Sequence, residues 1–146
     1  MRYLLFWLLL PLSHGALAQS CSLAATPLMF GTVAGVAGQV HSSTASVTVT
    51  CEAGASAATV SYSLYLDDDG GLSHDLRNGS GTAQYQLYTA AGQQPVLGSQ
   101  AFASDSYTLA AHASISRTYT LYARMQPGRD GAPGVYQAMS AIRLVY

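Results

Sequence analysis

Three local groupings in the sequence have residue types that chemistry uses. Ser73-His74-Asp75 carries the letters of a nucleophilic triad, Asp67-Asp68-Asp69-Gly70-Gly71 offers carboxylates to a calcium ion, and Asn78-Gly79-Ser80 matches a glycosylation sequon. A triad needs three side chains that converge into a relay of hydrogen bonds, and three consecutive residues point in different directions. Ser73-His74-Asp75 is therefore read as a surface turn. The acidic run lacks the alternating ligand spacing and the distal Glu of an EF-hand loop, so it is read as a solvated turn that ends a strand. Asn-Gly is a strong hairpin signal, and a tight turn is the reading taken at Asn78. His41, His74 and His112 stand singly, so no metal site, no cofactor and no enzymatic activity are expected.

The remaining reactive pair is Cys21 and Cys51, and its meaning depends on the compartment. Arg2 supplies a short positive region, Leu4-Leu5-Phe6-Trp7-Leu8-Leu9-Leu10 an apolar one, and Ala16-Leu17-Ala18 the small-x-small pattern of a signal-peptidase site. A signal peptide over residues 1–18 is expected, with the cut before Gln19 and a single mature domain over 19–146. The apolar run ends at Pro11-Leu12, short of the roughly 20 residues that cross a bilayer, so no membrane span is expected in the mature chain. In an exported chain an even pair of cysteines reads as a disulfide. Closing the loop from Cys21 to Cys51 is worth about 3.6 kcal/mol in the chain-entropy account.

Composition agrees with export. Of 146 residues 49% are hydrophobic and only 9% charged, with no Lys and a formal net charge of -1. The basic field needed to grip phosphate backbones is missing, so nucleic acid is not an expected partner. Ala, Ser, Thr, Gly and Tyr dominate, which suits a β-rich domain.

The elements follow from period two. Over Thr44–Cys51, Ala45, Val47, Val49 and Cys51 share one face opposite Ser46, Thr48 and Thr50; over Ala58–Leu66, Val60, Tyr62, Leu64 and Leu66 oppose Thr59, Ser61, Ser63 and Tyr65. Gln84–Thr89, Ser116–Met125 and Val135–Tyr146 read as three further strands, punctuated by Pro127-Gly128 and by Gly131-Ala132-Pro133-Gly134. Residues 31–43 and 90–114 are read as an edge strand plus loops. No window sustains a helical period, and short strands between Gly, Pro and Asp clusters predict an antiparallel β-sandwich. The Tyr residues could form an adhesive surface, but Tyr62, Tyr85 and Tyr146 fall on expected strands, and core or sheet packing is the expected role of most of them. In the last strand Ser140, Ile142, Leu144 and Tyr146 share a face, and the sequence ends inside the strand. An uncovered edge of this kind is an aggregation hazard for which a partner strand is the remedy.

Cys21-x-x-x-x-Thr26-Pro27-Leu28-x-Phe30-Gly31, Val47-Thr48-Val49-Thr50-Cys51, Tyr85-Gln86-Leu87-Tyr88-Thr89, Leu121-Tyr122-Ala123-Arg124, Pro133-Gly134-Val135-Tyr136 and Leu144-Val145-Tyr146 together resemble the spore coat protein U domain, the family of archaic chaperone-usher pilus subunits. Where the family commonly has Trp-Gly and Tyr-Gly-Arg, this chain has Leu97-Gly98 and Tyr122-Ala123-Arg124. The resemblance implies an incomplete immunoglobulin-like sandwich lacking its final strand. It also implies a periplasmic chaperone that lends a strand, an outer-membrane usher, neighbouring subunits that replace the lent strand in the fibre, and a role in adhesion or biofilm at the cell surface. Ile142, Leu144 and Tyr146 are the expected donor-strand and chaperone interface.

Fibre-forming subunits of this family resemble one another in carrying a donor arm ahead of the first Cys, and a strand that fills a groove needs about 9 to 11 residues. The expected cut leaves only Gln19 and Ser20 ahead of Cys21. The subunit is thus expected to accept a strand without giving one, at the distal end of a fibre or as a minor component. The alternative is a stand-alone extracellular coat or carbohydrate-binding protein.

Overall fold

A computed structural model describes residues 19–34, 38–66, 74–78, 81–90, 96, 99–129, 132–138 and 141–146. The expected signal peptide, the acidic turn at 67–71, Ser73, Gly79-Ser80, Leu97-Gly98 and Ser140 lie outside the described residues.

Alternation builds the central strands. In β3 (His41–Glu52) Ala45, Val47, Val49 and Cys51 are buried, and in β4 (Ala58–Leu66) Val60, Tyr62, Leu64 and Leu66 are. Their Ser and Thr neighbours face outward, as the period-two pattern dictates. β6 (Gly81–Tyr88) and β8 (Ser114–Pro127) add Ala83, Tyr85, Leu87, Leu121, Ala123 and Met125 to the interior. Shorter strands complete the set: β1 (Ser20–Ala25), β2 (Leu28–Val33), β5 (His74–Asn78), β7 (Ala103–Leu109), β9 (Gly134–Ala138) and β10 (Ile142–Val145).

Every pairing is antiparallel. The strands form a five-stranded sheet in the order β1-β3-β8-β6-β5, a three-stranded sheet β10-β4-β7 and a two-stranded ribbon β2-β9. Buried side chains from all three make one continuous apolar core. On the outer faces hydroxyls pair across strands, Thr48 with Thr118 at 3.0 Å and Thr50 with Ser116 at 2.8 Å. Such pairs satisfy a sheet surface without charge, which accounts for the sparse acids and bases.

Two expectations are corrected. The segment Val135–Tyr146 is two strands in different sheets: β9 pairs with β2, and β10 pairs with β4. Tyr136, Ala138, Ile142 and Leu144 all turn inward, so the alternation stays in phase across the break and leaves no mark of it. His74-Asp75 is edge strand, not surface turn, because β5 and β6 form a hairpin in which Asn78 stands opposite Gly81. That register leaves two residues, outside the described ones, to connect them.

Local chemistry explains the motifs. Cys21 stands directly opposite Cys51 across β1 and β3, with Cα atoms 4.1 Å apart, and the two are joined as a disulfide. Thr26 then donates its amide to Ser46 O, while Pro27 has no amide to continue the ladder, and the chain leaves the edge of β3. Ser43 Oγ takes over by accepting from Met29 N at 3.1 Å and donating to Met29 O at 2.8 Å. The register slips between Met29 and Gly31, a bulge that Gly31 accommodates at φ 73°. Gly134 has φ 145°, and any Cβ there would collide with the Asn78 amide, which donates to Pro133 O.

Between the sheets Tyr62 hydrogen-bonds Tyr119 through their hydroxyls at 2.7 Å, with Tyr107 edge-on to its ring. Burial, reinforced by the Tyr119 hydrogen bond, holds the Tyr62 phenol well above its ordinary value, and burial also raises Tyr107.

Two outcomes follow. Replacing Cys21 and Cys51 together by Ser lowers unfolding free energy by about 3–4 kcal/mol in urea titration, since the closed loop spans 30 residues. In alkali the folded chain keeps a Tyr62 proton that the unfolded chain releases above about pH 10. Stability is therefore complete below that pH and falls above it, and Tyr62→Phe makes the fall shallower when urea midpoints are compared across the range.

Candidate interaction edge

Among the described residues strand β10 pairs on one flank only. Ile142, Arg143, Leu144 and Val145 stand opposite Leu66, Tyr65, Leu64 and Ser63 of β4, and β4 is covered on its far side by β7. No described residue pairs with the other flank of β10. Burial records the difference. Leu64 and Leu66 are 0% and 1% exposed, whereas Ile142 and Leu144, one strand further out on the same face, are only half-buried against the core. Val145 and Tyr146 are 45% and 58% exposed. Arg143 lies on the outer face with its guanidinium 4.9 Å from the centre of the Tyr65 ring.

Tyr146 departs from expectation. It lies beyond the end of β10 and is exposed, so core or sheet packing does not explain it, unlike Tyr62 and Tyr85, which are buried. Of the three expected interface residues, Ile142 and Leu144 share the inward face and Tyr146 stands at the tip.

The β7 and β5 edges carry features that oppose pairing. On β7 Asp105 is held by Arg117 of β8, Oδ2 to Nε 3.1 Å, and a charge on an edge strand discourages a further strand. β5 is a short strand rich in polar residues. The inward face of β10 has only apolar side chains. A bare edge strand that is apolar within is a ready template for strand addition.

Of Ser73-His74-Asp75 only His74 and Asp75 are described, and these two point to opposite faces of β5. His74 packs its ring 5.0 Å from that of Tyr85, while Asp75, next in the strand and on the opposite face, accepts from Gln84 Nε2 at 3.2 Å. Among the described residues no group of three or more His, Cys, Asp or Glu comes together to hold a metal ion. No helix among them is long and apolar enough to cross a membrane. Sequence reasoning left the bounds of strand β7 open within residues 90–114 and missed a polar concavity on the outer face of β5, β6 and β8. The only signal for the latter was glutamine replacing serine and threonine at the outward positions 84, 86 and 126.

The described residues form a disulfide-stapled antiparallel β-domain with a half-covered edge strand. The chain belongs to the Spore Coat Protein U domain family, whose sequence model matches residues 9–142. That family consists of structural subunits of chaperone-usher pili and coats, associated with surface fimbriae. No curated protein matches the chain.

The geometry sets a graded cost for truncation. Leu144→Ala, at a half-covered position, costs about 1–2 kcal/mol, and Leu64→Ala, in the closed core beside it, costs about 2–5 kcal/mol. Urea unfolding of the two variants measures the ratio.

Proposed function

We propose that this protein is an exported subunit of a chaperone-usher pilus or surface coat, completed along the free flank of β10 by a strand from another chain. The observation that carries this reading is the fall in burial between β4 and β10 on one face of one sheet. An added strand supplies backbone partners along the outer edge, and its alternate side chains cover Ile142 and Leu144. A periplasmic chaperone lends that strand during export, and a neighbouring subunit replaces it in the fibre. The completed domain is then an immunoglobulin-like sandwich whose final strand is foreign.

The same reading extends to position in the assembly. β1 is already committed to β3 from Ser20 onward, so an arm able to enter a neighbour must come from residues ahead of it. After cleavage at Ala18 only Gln19 precedes β1, and the subunit receives a strand without offering one. It occupies the distal end of a fibre or a minor place in it. Mass measurement of the mature N-terminus tests this directly, and ten or more residues retained ahead of Cys21 overturn it.

Complementation itself is tested by export with and without a cognate chaperone, followed by hydrogen exchange. The expected result is a higher periplasmic yield with chaperone, slowed exchange at β10 amides, and a melting temperature that climbs with donor concentration. Saturation at a hundred times Kd stabilises the fold by about 2.7 kcal/mol. A stable solitary monomer with β10 amides already protected removes the reading.

A further inference from the structure

The outer face of the five-stranded sheet changes character along its length. Around β3 and the first half of β8 it is tiled with Ser and Thr, but where β6 joins β8 and β5 the outward positions become amides, guanidinium groups and phenols. Strand register sets these side chains in rows. Asp75, Gln84 and Gln126 stand side by side across β5, β6 and β8; Gln86, Arg124 and Ser42 form the next row across β6, β8 and β3; Tyr88, Tyr122 and Thr44 form the third. Neighbours within a row are about 5 Å apart and successive rows about 7 Å apart, by strand geometry.

The rows floor a concavity of about 880 Å3. Residues 38–40 border it beyond β3, anchored where Gln126 Nε2 donates to Gly38 O at 3.4 Å, and Asp75 stands toward the other side. A second hollow of about 210 Å3, over Ser42, Thr44 and Tyr122, shares Tyr88 and Arg124 with the first. The two make one elongated trough. Among the described residues its charges are unequal: Arg124 and Arg129 line it against the single carboxylate of Asp75. Neither Arg has a carboxylate partner among the described residues, whereas Arg117 elsewhere does. Arg124 lies 5.3 Å from the centre of the Tyr88 ring, and the Tyr88 hydroxyl donates to Gln86 Oε1 at 2.7 Å, so guanidinium, ring and amide form one ordered unit.

We propose that this trough binds an acidic saccharide chain. Arg124, stacked and therefore partly ordered before binding, offers its planar fork to a sugar carboxylate. Each glutamine amide carries both donors and an acceptor, which matches vicinal hydroxyls that donate and accept together, and Asp75 accepts from a further hydroxyl. A polypeptide partner would call for apolar recesses to anchor its side chains; exposed Val40 lies on the border, but the outward floor positions of β6 and β8 are polar. The length shared by the two hollows suits a chain of sugars rather than one. The trough lies on the five-stranded sheet and β10 belongs to the three-stranded one, so this inference does not rest on strand donation.

Calorimetry of the full exported chain with hexagalacturonate, and with uncharged cellohexaose as the comparison, tests the proposal. Hexagalacturonate binds, more weakly as salt rises, and cellohexaose binds at least ten-fold less well. Arg124→Ala weakens hexagalacturonate about ten- to a hundred-fold, by loss of a charged bidentate contact, and Arg124→Lys lies between. Gln86→Ala weakens it several-fold. Both side chains sit on the outer face, and an intact Cys21–Cys51 disulfide with an unchanged circular dichroism spectrum verifies the fold of each variant. Equal affinity for the two oligosaccharides, an Arg124→Ala variant that binds as well as the parent, or no uptake of hexagalacturonate at millimolar concentration each overturns the proposal.

Discussion

A β-strand hydrogen-bonded on one side presents a second row of backbone donors and acceptors on the other, and every sheet must dispose of that row. In this protein the constraint is concentrated at β10, where one face packs on the core, one flank is held by β4, and the opposite flank has no partner among the described residues. Water can satisfy the backbone groups. It cannot cover Ile142 and Leu144 as a neighbouring strand covers Leu64 and Leu66. The interaction that would finish this edge is thus both polar, through the backbone, and apolar, through alternate side chains.

The rest of the molecule limits where that happens. Asp105 and Arg117 place charge at the β7 edge, and Pro27 withholds an amide where the chain leaves β3. Ser43 then holds the start of β2 through its side chain, allowing the backbone of β2 to pair with β9 instead. Such features leave one apolar edge as the favoured template. The surface obeys a similar economy: hydroxyl pairs cover both broad faces, so the few charged groups mark particular places, among them the outer trough with Arg124 and Asp75.

Much of this was legible in advance. The buried faces of β3 and β4 follow from alternation alone, because long central strands pack one face on the core and give the pattern enough length to register. The cysteine pair was read as a disulfide from its even count in a chain expected to be exported. The short outer strands β1 and β5 were not read as strands, and β2 and β7 fell in or beside stretches read only as an edge strand plus loops, without bounds. In Ser104-Asp105-Ser106-Tyr107-Thr108 the alternation is between small polar and mixed residues, and partial burial blurs the contrast. The break between β9 and β10 was invisible since inward residues keep the same parity on both sides.

What the sequence by itself determined is which side chains turn inward, where the chain is covalently stapled, and that the fold is built of antiparallel strands. These are local properties, set by the two-residue period of extended backbone and by the chemistry of Cys, Pro and Gly. Only the tertiary structure decided which strand lies beside which, and hence that β10 has β4 on one flank and nothing described on the other, and that Asp75, Gln84 and Gln126 share a row although they are far apart in the chain. Alternation specifies a residue's face but carries no information about its lateral neighbour, because that neighbour is chosen by contacts made across the whole chain.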